Sequence, residues 1–418
     1  MKRYKGLAPL WENVRYFCKW TVISLVIALL AGFFGSLFSH GVILANALCN
    51  THRWTLFLMP FAGLLIVWLY RACHEEKNRG TDMVIDSISA HEDVTAATAP
   101  LIFVSSVLSH AVCASVGREG AALQLGGSIG SQIGHLLKLD EKDRKIAVMC
   151  GMSACFAAVF GTPLAAGIFS MEVISIGVLY YAALVPCVFA SFLGAAIAGR
   201  MGLLPEHYEL GTFMEFGAAG MGIAVLLGAL CAAVGILLCV CLHTGTHFSR
   251  EKLPNPYVRV VVGSIVFIVL TLLFPERPFN GSGLQLIERC FNGEGIVPYA
   301  FLGKILFTTV ALSAGFKGGE IVPTLCVGAT FGYLFATILG LPTGLCAAIG
   351  MSCLFVSVTN CPVSTVFLAF ELFGFAAMPY FAVAIAVSFT LSGYYSLYSS
   401  QKFVYSKTRT EYVNRKSH

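Results

Sequence analysis

The sequence predicts an all-α integral membrane protein, built as an inverted repeat of tilted, partial and re-entrant helices. Three observations carry that expectation. The 418-residue chain is 57% hydrophobic and 12% charged, with a mean hydropathy of +0.79, whereas soluble domains carry roughly 25% charged residues. Apolar stretches recur along its whole length. The second half also repeats the first: Gly151, Met152, Ser153, Phe156, Val159, Pro163 and Glu172 return as Gly350, Met351, Ser352, Phe355, Val358, Pro362 and Glu371, at a constant offset of 199. Tyr181, Ala183 and Val188 return at the same offset as Tyr380, Ala382 and Val387. Repetition around membrane carboxylates is the build of transporters whose site lies where two halves meet.

Taken in order, the apolar stretches cover 20–48, 54–71, 97–114, 146–176, 178–199, 216–242, 258–274, 297–314, 321–340, 343–359 and 363–393. A straight span needs roughly 20 apolar residues. Several stretches are shorter, or are broken by Gly and Pro. Such backbone is tolerated at membrane depth only inside protein or along a polar cavity, which predicts the partial helices. The first stretch is too long for a cleaved signal and reads as a retained helix. The repeats run over about 20–200 and 216–400, joined at 199–217, with a short segment at 1–19 and a basic tail at 401–418. An odd number of crossings in each repeat would orient the halves oppositely.

Basic residues cluster at 1–19, 71–79, 138–145, 250–259 and 402–416, while 205–215 and 275–295 are proportionally richer in acid. The positive-inside rule then places the first set, both termini included, in the cytoplasm. A short basic tail beside a membrane meets anionic lipid and gives no reason to expect nucleic acid. The 15 cysteines are scattered, without metal-ligand spacing or paired loops, and read as reduced packing residues. The ten histidines show no metal spacing, and no cofactor is implied. There is neither a His-Glu-x-x-His pattern nor a serine-centred glycine elbow, so an intramembrane enzyme is not expected.

The sharpest motif is Gly117-Arg118-Glu119-Gly120, followed by a run of small and apolar residues. Glycines at 117 and 120 allow a tight turn that brings backbone N–H groups forward. The run reads as a helix beginning near Glu119, and a helix N-terminus carries unpaired N–H groups and partial positive charge that attract anions. A carboxylate on the motif can occupy that anion place and, protonated or displaced, vacate it. Gly318-Gly319-Glu320 opens the matching segment 201 residues later.

On these residues the chain resembles the CLC chloride channels and anion/proton antiporters. Gly117-Arg118-Glu119-Gly120 looks like that family's gating-glutamate motif. Phe160-Gly161-Thr162-Pro163-Leu164-Ala165-Ala166-Gly167 resembles its following Pro-containing helix start. Gly318-Gly319-Glu320-Ile321-Val322-Pro323 sits where its second anion-binding loop lies, and Tyr398 where its central tyrosine lies. The resemblance spans about 20–402. The departures are specific. Gly80-Thr81-Asp82-Met83 stands where Gly-Ser-Gly-Ile-Pro is usual, Ala121 replaces a proline, Glu320 takes or adjoins the place of a phenylalanine, and Val173 stands where the chloride/proton antiporters keep an inner glutamate. Together they resemble the fluoride/proton antiporter branch, which exports fluoride from bacteria.

That resemblance implies a homodimer in the lipid bilayer, with one pathway per subunit for fluoride or chloride and for protons. It implies Glu119 and Glu320 as the gating and proton-transfer residues. The anion would be bound around Gly80, Thr81, Met83, Gly117, Arg118, Gly120, Gly318, Gly319, Ile321, Val322 and Tyr398. A small, strongly hydrated fluoride needs good donors; two helix N-termini and the Thr81 and Tyr398 hydroxyls could supply them. A charged carboxylate in a membrane is costly, so Glu119 and Glu320 should take up and release protons. Plainer readings stand beside these. Glu119 could merely cap its helix, and Glu320 could pair with Lys317 or Lys304. Met83 could be packing, and Thr81 and Tyr398 a satisfied threonine and an interfacial tyrosine. Asp82 could cap the helix after Gly80. Glu172 and Glu371, the repeat mates, read first as structural carboxylates holding matching helix ends. A passive anion channel of the same architecture, or a chloride/proton antiporter, is the alternative.

Overall fold

Glycine and proline decide where the helices stop. The computed structural model describes residues 8–90, 93–274 and 276–417; positions 1–7 of the N-terminal segment, one position of the 275–295 loop and the last tail residue lie outside them. In the first half, α1 (Ala8–Thr51) passes through a 3-10 turn (Arg53–Leu58) into α2 (Met59–Ala72), α3 (Thr81–Ser89), α4 (Thr98–Ala111), α5 (Glu119–Leu136), α6 (Glu141–Phe160), α7 (Pro163–Glu172) and α8 (Leu184–Arg200). The second half contains α9 (Ala218–Lys252), α10 (Pro256–Leu272), α11 (Leu284–Phe291), α12 (Ala300–Ala314), α13 (Ile321–Leu339), α14 (Thr343–Thr359), α15 (Pro362–Phe373) and α16 (Met378–Leu391).

Among the described residues, five helical segments are long and apolar enough to cross a membrane. Others are partial: α3, α7 and α15 have 9, 10 and 12 residues, half of a span or little more. The apolar stretches 146–176 and 363–393 are both broken, as the expectation of partial helices requires. Gly161 takes φ 77° after α6 and Pro163 opens α7, while Gly374 at φ 77° ends α15 before α16 begins. A left-handed glycine ends a helix and a proline starts the next one cheaply, because its missing N–H is not needed there.

The central helices meet backbone to backbone. A Cβ on Gly126 would lie 2.1 Å from the Gly151 carbonyl oxygen, and one on Gly130 2.2 Å from that of Ala147, so α5 and α6 touch along the Gly126-x-x-x-Gly130 stripe. The second half repeats this contact: a Cβ on Gly328 would lie 2.4 Å from the Gly350 oxygen, and one on Gly332 2.0 Å from that of Cys346. The glycine run is therefore an internal packing seam of one subunit.

Contacts order the two ends of the molecule. The Tyr16 hydroxyl near the start of α1 donates to Ala182 just before α8, and His40 farther along α1 lies 2.9 Å from the Met201 oxygen just past α8. The two helices thus run side by side in one direction. Lys19 pairs with Asp143, bringing the start of α1 and the 138–145 cluster together. The tail reaches this same end. β1 (Ser175–Ile176), β2 (Lys402–Tyr405) and β3 (Tyr412–Lys416) form a small sheet, β2 parallel to β1 and antiparallel to β3, with Ser175 opposite Lys402. The tail is thus docked, and its Lys407 ammonium donates to Asn360, to the Phe389 carbonyl at 2.9 Å and to Ser392 Oγ at 3.0 Å. This short sheet is the one addition to an otherwise helical fold among the described residues.

One expectation about the cysteines is corrected. Cys49 and Cys113 form a disulfide. Each ends an apolar stretch, and their separation of 64 positions hid the pairing. Only packing of the end of α1 against the end of α4, where Asn46 Oδ1 also lies 3.1 Å from His110 Nδ1, brings them together. The bond lies at the end of the molecule opposite the tail.

Candidate functional site

The two repeated loops join each other. Gly117 N–H donates to the Gly319 oxygen at 2.6 Å, and Gly319 N–H donates back to the Gly117 oxygen at 2.7 Å. The exchange requires bare glycines. A Cβ on Gly319 would lie 2.4 Å from the Gly120 nitrogen, and one on Gly318 2.6 Å from Val116 Cβ. This pairing sets the tips of α5 and α13 beside one another, both buried in protein.

Glu119 is the first residue of α5 and is fully buried. Its Oε2 accepts from the Arg118 backbone N–H at 3.1 Å, and its Oε1 from Arg118 Nε at 3.2 Å. The carboxylate therefore sits at the positive tip of its own helix, as its own anion. Glu320 caps the start of α13 without a side-chain capping bond. A point 1 Cβ bond from Gly120 lies 3.4 Å from Glu320 Oε2, 3.4 Å from Thr81 Oγ1 and 2.9 Å from the Gly319 α-carbon. Gly120 therefore borders a small cradle formed by α3, α5 and α13.

Two polar groups nearby lack partners. The buried Tyr398 hydroxyl and the Gln124 side-chain oxygen have none among the described residues. Thr81 Oγ1 donates only a long bond, 3.3 Å, to the Gly120 oxygen. Unmade bonds in a buried polar group are unfavourable unless a ligand or water completes them. Tyr398 lies within electrostatic reach of Glu320, Asp82 and Glu119. Met83, the third residue of α3, is buried, and Ile321 and Val322 open α13 as buried wall residues. Gly80 takes φ 69°, which lets α3 begin at Thr81.

Several residues hold the site. Asp82 does not cap α3; its two oxygens accept from Ser399 Oγ at 2.6 Å and Ser400 N–H at 2.9 Å. Ser400 Oγ donates to Asp86 at 2.6 Å. The two residues after Tyr398 are thereby fastened to α3. Gln401, fully buried, donates to the Val173 and Thr359 oxygens. Neither proposed lysine pairs with Glu320. Lys304 Nζ donates to Ser115 Oγ at 2.9 Å and to the Gly281 oxygen at 2.6 Å, and Lys317 Nζ lies 4.4 Å from the Tyr70 ring centroid. Among the described residues Glu320 makes no ion pair.

Glu172 and Glu371 do hold helix ends, reciprocally. Glu371 on α15 accepts from Leu164 and Ala165 N–H at 2.8 and 2.9 Å, closing the tip of α7. Glu172 on α7 accepts from Val363 and Ser364 N–H at 3.0 and 2.8 Å, closing the tip of α15. Those two tips are already filled by carboxylates, which leaves the tips of α3, α5 and α13 around the cradle.

One buried contact has no counterpart in the sequence reading. Arg118 Nη2 donates to Glu206 Oε1 at 2.5 Å. Glu206 belongs to the 205–215 segment, whose acidity registered only as a topology signal.

Known proteins are similar to this chain in sequence and fold. The profile described as voltage gated chloride channel matches residues 62–393. A chloride/fluoride channel protein of Pseudomonas syringae pv. tomato is 33% identical over 399 residues, 94% of this chain and 88% of that protein. A crystal structure of a CLC-type fluoride/proton antiporter superposes with a TM-score of 0.89 at 30% identity, covering 92% of this chain and 98% of the other. A slow cyanobacterial Cl-/H+ antiporter shares the fold with a TM-score of 0.76 at 20% identity, covering 89% and 94%.

Proposed function

The chain belongs to the voltage gated chloride channel (CLC) family, and we propose that within it this multi-pass membrane protein works as a fluoride/proton antiporter that exports fluoride. The observation that carries this reading is the joining of the two repeated loops at Gly117 and Gly319, which brings Glu119 and Glu320 together beside Thr81, with the unpartnered Tyr398 hydroxyl in electrostatic reach of both carboxylates. A charged Glu119 fills the tip of α5 and is held there by Arg118. Once protonated it loses its charge-assisted bonds, and an anion takes its place. Helix-tip N–H groups and the Thr81 and Tyr398 hydroxyls then replace part of the water that fluoride gives up. Glu320, on the far side of Gly120, is the second proton carrier. Because anion and ionised Glu119 compete for one place, each proton inward accompanies an exit of anion.

Orientation follows from charge and redox chemistry together. Basic clusters gather at the end that holds the tail, and the disulfide lies at the opposite end. Lys and Arg favour the cytoplasm and disulfides persist in oxidising compartments. Both chain ends then face the cytoplasm of a bacterial inner membrane, and the loops at 205–215 and 276–295 face outward. The functional unit is a homodimer with one pathway in each subunit.

Liposomes loaded with fluoride or chloride test the reading. Fluoride efflux should far exceed chloride efflux, should accelerate when the outside is acidified, and should drive protons inward against their gradient. Glu119→Gln should lose proton coupling or turnover. Chloride flux equal to fluoride flux, or fluoride flux without proton movement, would replace the antiporter with a chloride transporter or a passive channel.

A further inference from the structure

A third carboxylate stands behind the gate. Arg118 is shared: Nε serves Glu119 Oε1 at 3.2 Å, while Nη2 serves Glu206 Oε1 at 2.5 Å. Side-chain exposure rises along this row, from 0% at Glu119 through 9% at Arg118 to 18% at Glu206. Beyond Glu206 opens a cavity of about 610 Å³, lined by His207, Tyr208, Glu209 and Glu288 among others. Glu206 is thus the member of the row that reaches both the guanidinium and open space. Its other oxygen accepts from the Tyr208 hydroxyl at 3.3 Å. The charged and titratable groups facing it are Arg118, Glu119, Tyr208 and Glu288, with His207 and Glu209 on the same cavity wall.

Two carboxylates compete for one guanidinium. With both ionised, the row carries one net negative charge in poorly hydrated surroundings, so one proton is readily held. A proton on Glu206 leaves Arg118 wholly to Glu119 and locks the gate. A proton on Glu119 leaves Arg118 wholly to Glu206 and frees the gate to leave its helix tip. Ionised Glu206 is therefore what lets Arg118 release Glu119.

Resting on the antiporter reading, we propose that Glu206 is the outer proton port of the exchange cycle, and that it sets the external proton concentration at which Glu119 is released. The proton leaves hydronium in the cavity and bonds to a Glu206 carboxylate oxygen. It then passes to a Glu119 oxygen, and Glu206 is again ionised against Arg118. Acidic neighbours concentrate protons at the port.

The test uses full-length protein in liposomes, with external and internal pH varied separately. In Glu206→Gln, Arg118 serves Glu119 alone, so releasing the gate needs more protons. The midpoint of fluoride/proton exchange against external pH should fall by about one unit, a roughly tenfold rise in protons. The internal pH profile should not move. Glu206→Asp should bring the midpoint back toward wild type, and Glu288→Gln, on the cavity wall, should move it the same way by less. Glu288→Gln also carries the test if Glu206→Gln does not fold. An unchanged external midpoint, or a uniform loss of rate at every pH, overturns the port while wild-type exchange and a Glu119→Gln defect leave the antiporter standing. Absence of wild-type proton coupling removes both.

Discussion

At the residue scale, Glu119 and Glu320 occupy matched positions in unlike settings. Glu119 is fully buried and held by two bonds from Arg118. Glu320 stands at the N-cap of α13 without a side-chain capping bond, pairs with no lysine among the described residues, and borders the cradle at Gly120. A carboxylate that fastens no other helix can change its protonation at little expense to the fold. Glu320→Gln should therefore leave the folded protein intact and retain fluoride binding, while slowing proton uptake by tenfold or more, on the order of the loss when a positioned proton-transfer group is removed. Proton flux and fluoride binding measured on the same preparation decide this. Equal loss of both, or of neither, would return Glu320 to a structural role. Tyr398 supplies a companion case. Its hydroxyl has no partner among the described residues, so Tyr398→Phe should leave thermal stability unchanged and weaken fluoride binding by the worth of one hydrogen bond to an anion, about 1.5–3 kcal/mol, read by calorimetric titration.

At the element scale, two repeat-related pairs of helix tips lie inside the protein, and the chain treats them in two ways. The tips of α7 and α15 are each closed by a glutamate from the other. The tips of α5 and α13 are joined through glycine backbone and carry Glu119 and Glu320, the proposed proton carriers. Closing two tips keeps mobile anions from binding where they would do nothing. Glu371→Ala leaves two buried N–H groups unpaired and should lower stability by on the order of 2 kcal/mol. Glu371→Gln, which keeps one acceptor, should lose less. Thermal unfolding in detergent measures both. Unchanged stability with impaired fluoride flux would make Glu371 part of the pathway instead. The glycine seams act at the same scale, since a Cβ on Gly126 would come within 2.1 Å of a backbone oxygen that cannot step aside.

At the scale of the whole molecule, the proposed orientation rests on two separate features, charge and the disulfide. Cysteines introduced at His207 and Arg409 should report it, in a background lacking the exposed Cys18 and Cys73. A membrane-impermeant maleimide added to intact bacteria should label His207→Cys and spare Arg409→Cys until the membrane is opened. The reverse pattern would invert the topology. Reducing the Cys49–Cys113 bond, which closes a loop of 64 residues, should destabilise the protein by about 2–5 kcal/mol.

The sequence alone determined membrane residence, the twofold repeat, and the glycine-flanked glutamates at 119 and 320, because hydropathy, offset and local turn chemistry are properties of contiguous chain. It also placed the starts of α3 and α5, since Gly80 and Glu119 act on their immediate neighbours. It predicted partial helices without fixing where 363–393 divides, because hydropathy averages across a single positive-φ glycine such as Gly374. It could not place the Cys49–Cys113 bond, the reciprocal caps of Glu172 and Glu371, the fastening of Ser399 and Ser400 to Asp82 and Asp86, or Glu206 beside Arg118. Each of these joins residues between 64 and 318 positions apart, and a pairing at such separation exists only once the packed halves bring the two partners into a shared, poorly hydrated space where each satisfies the other.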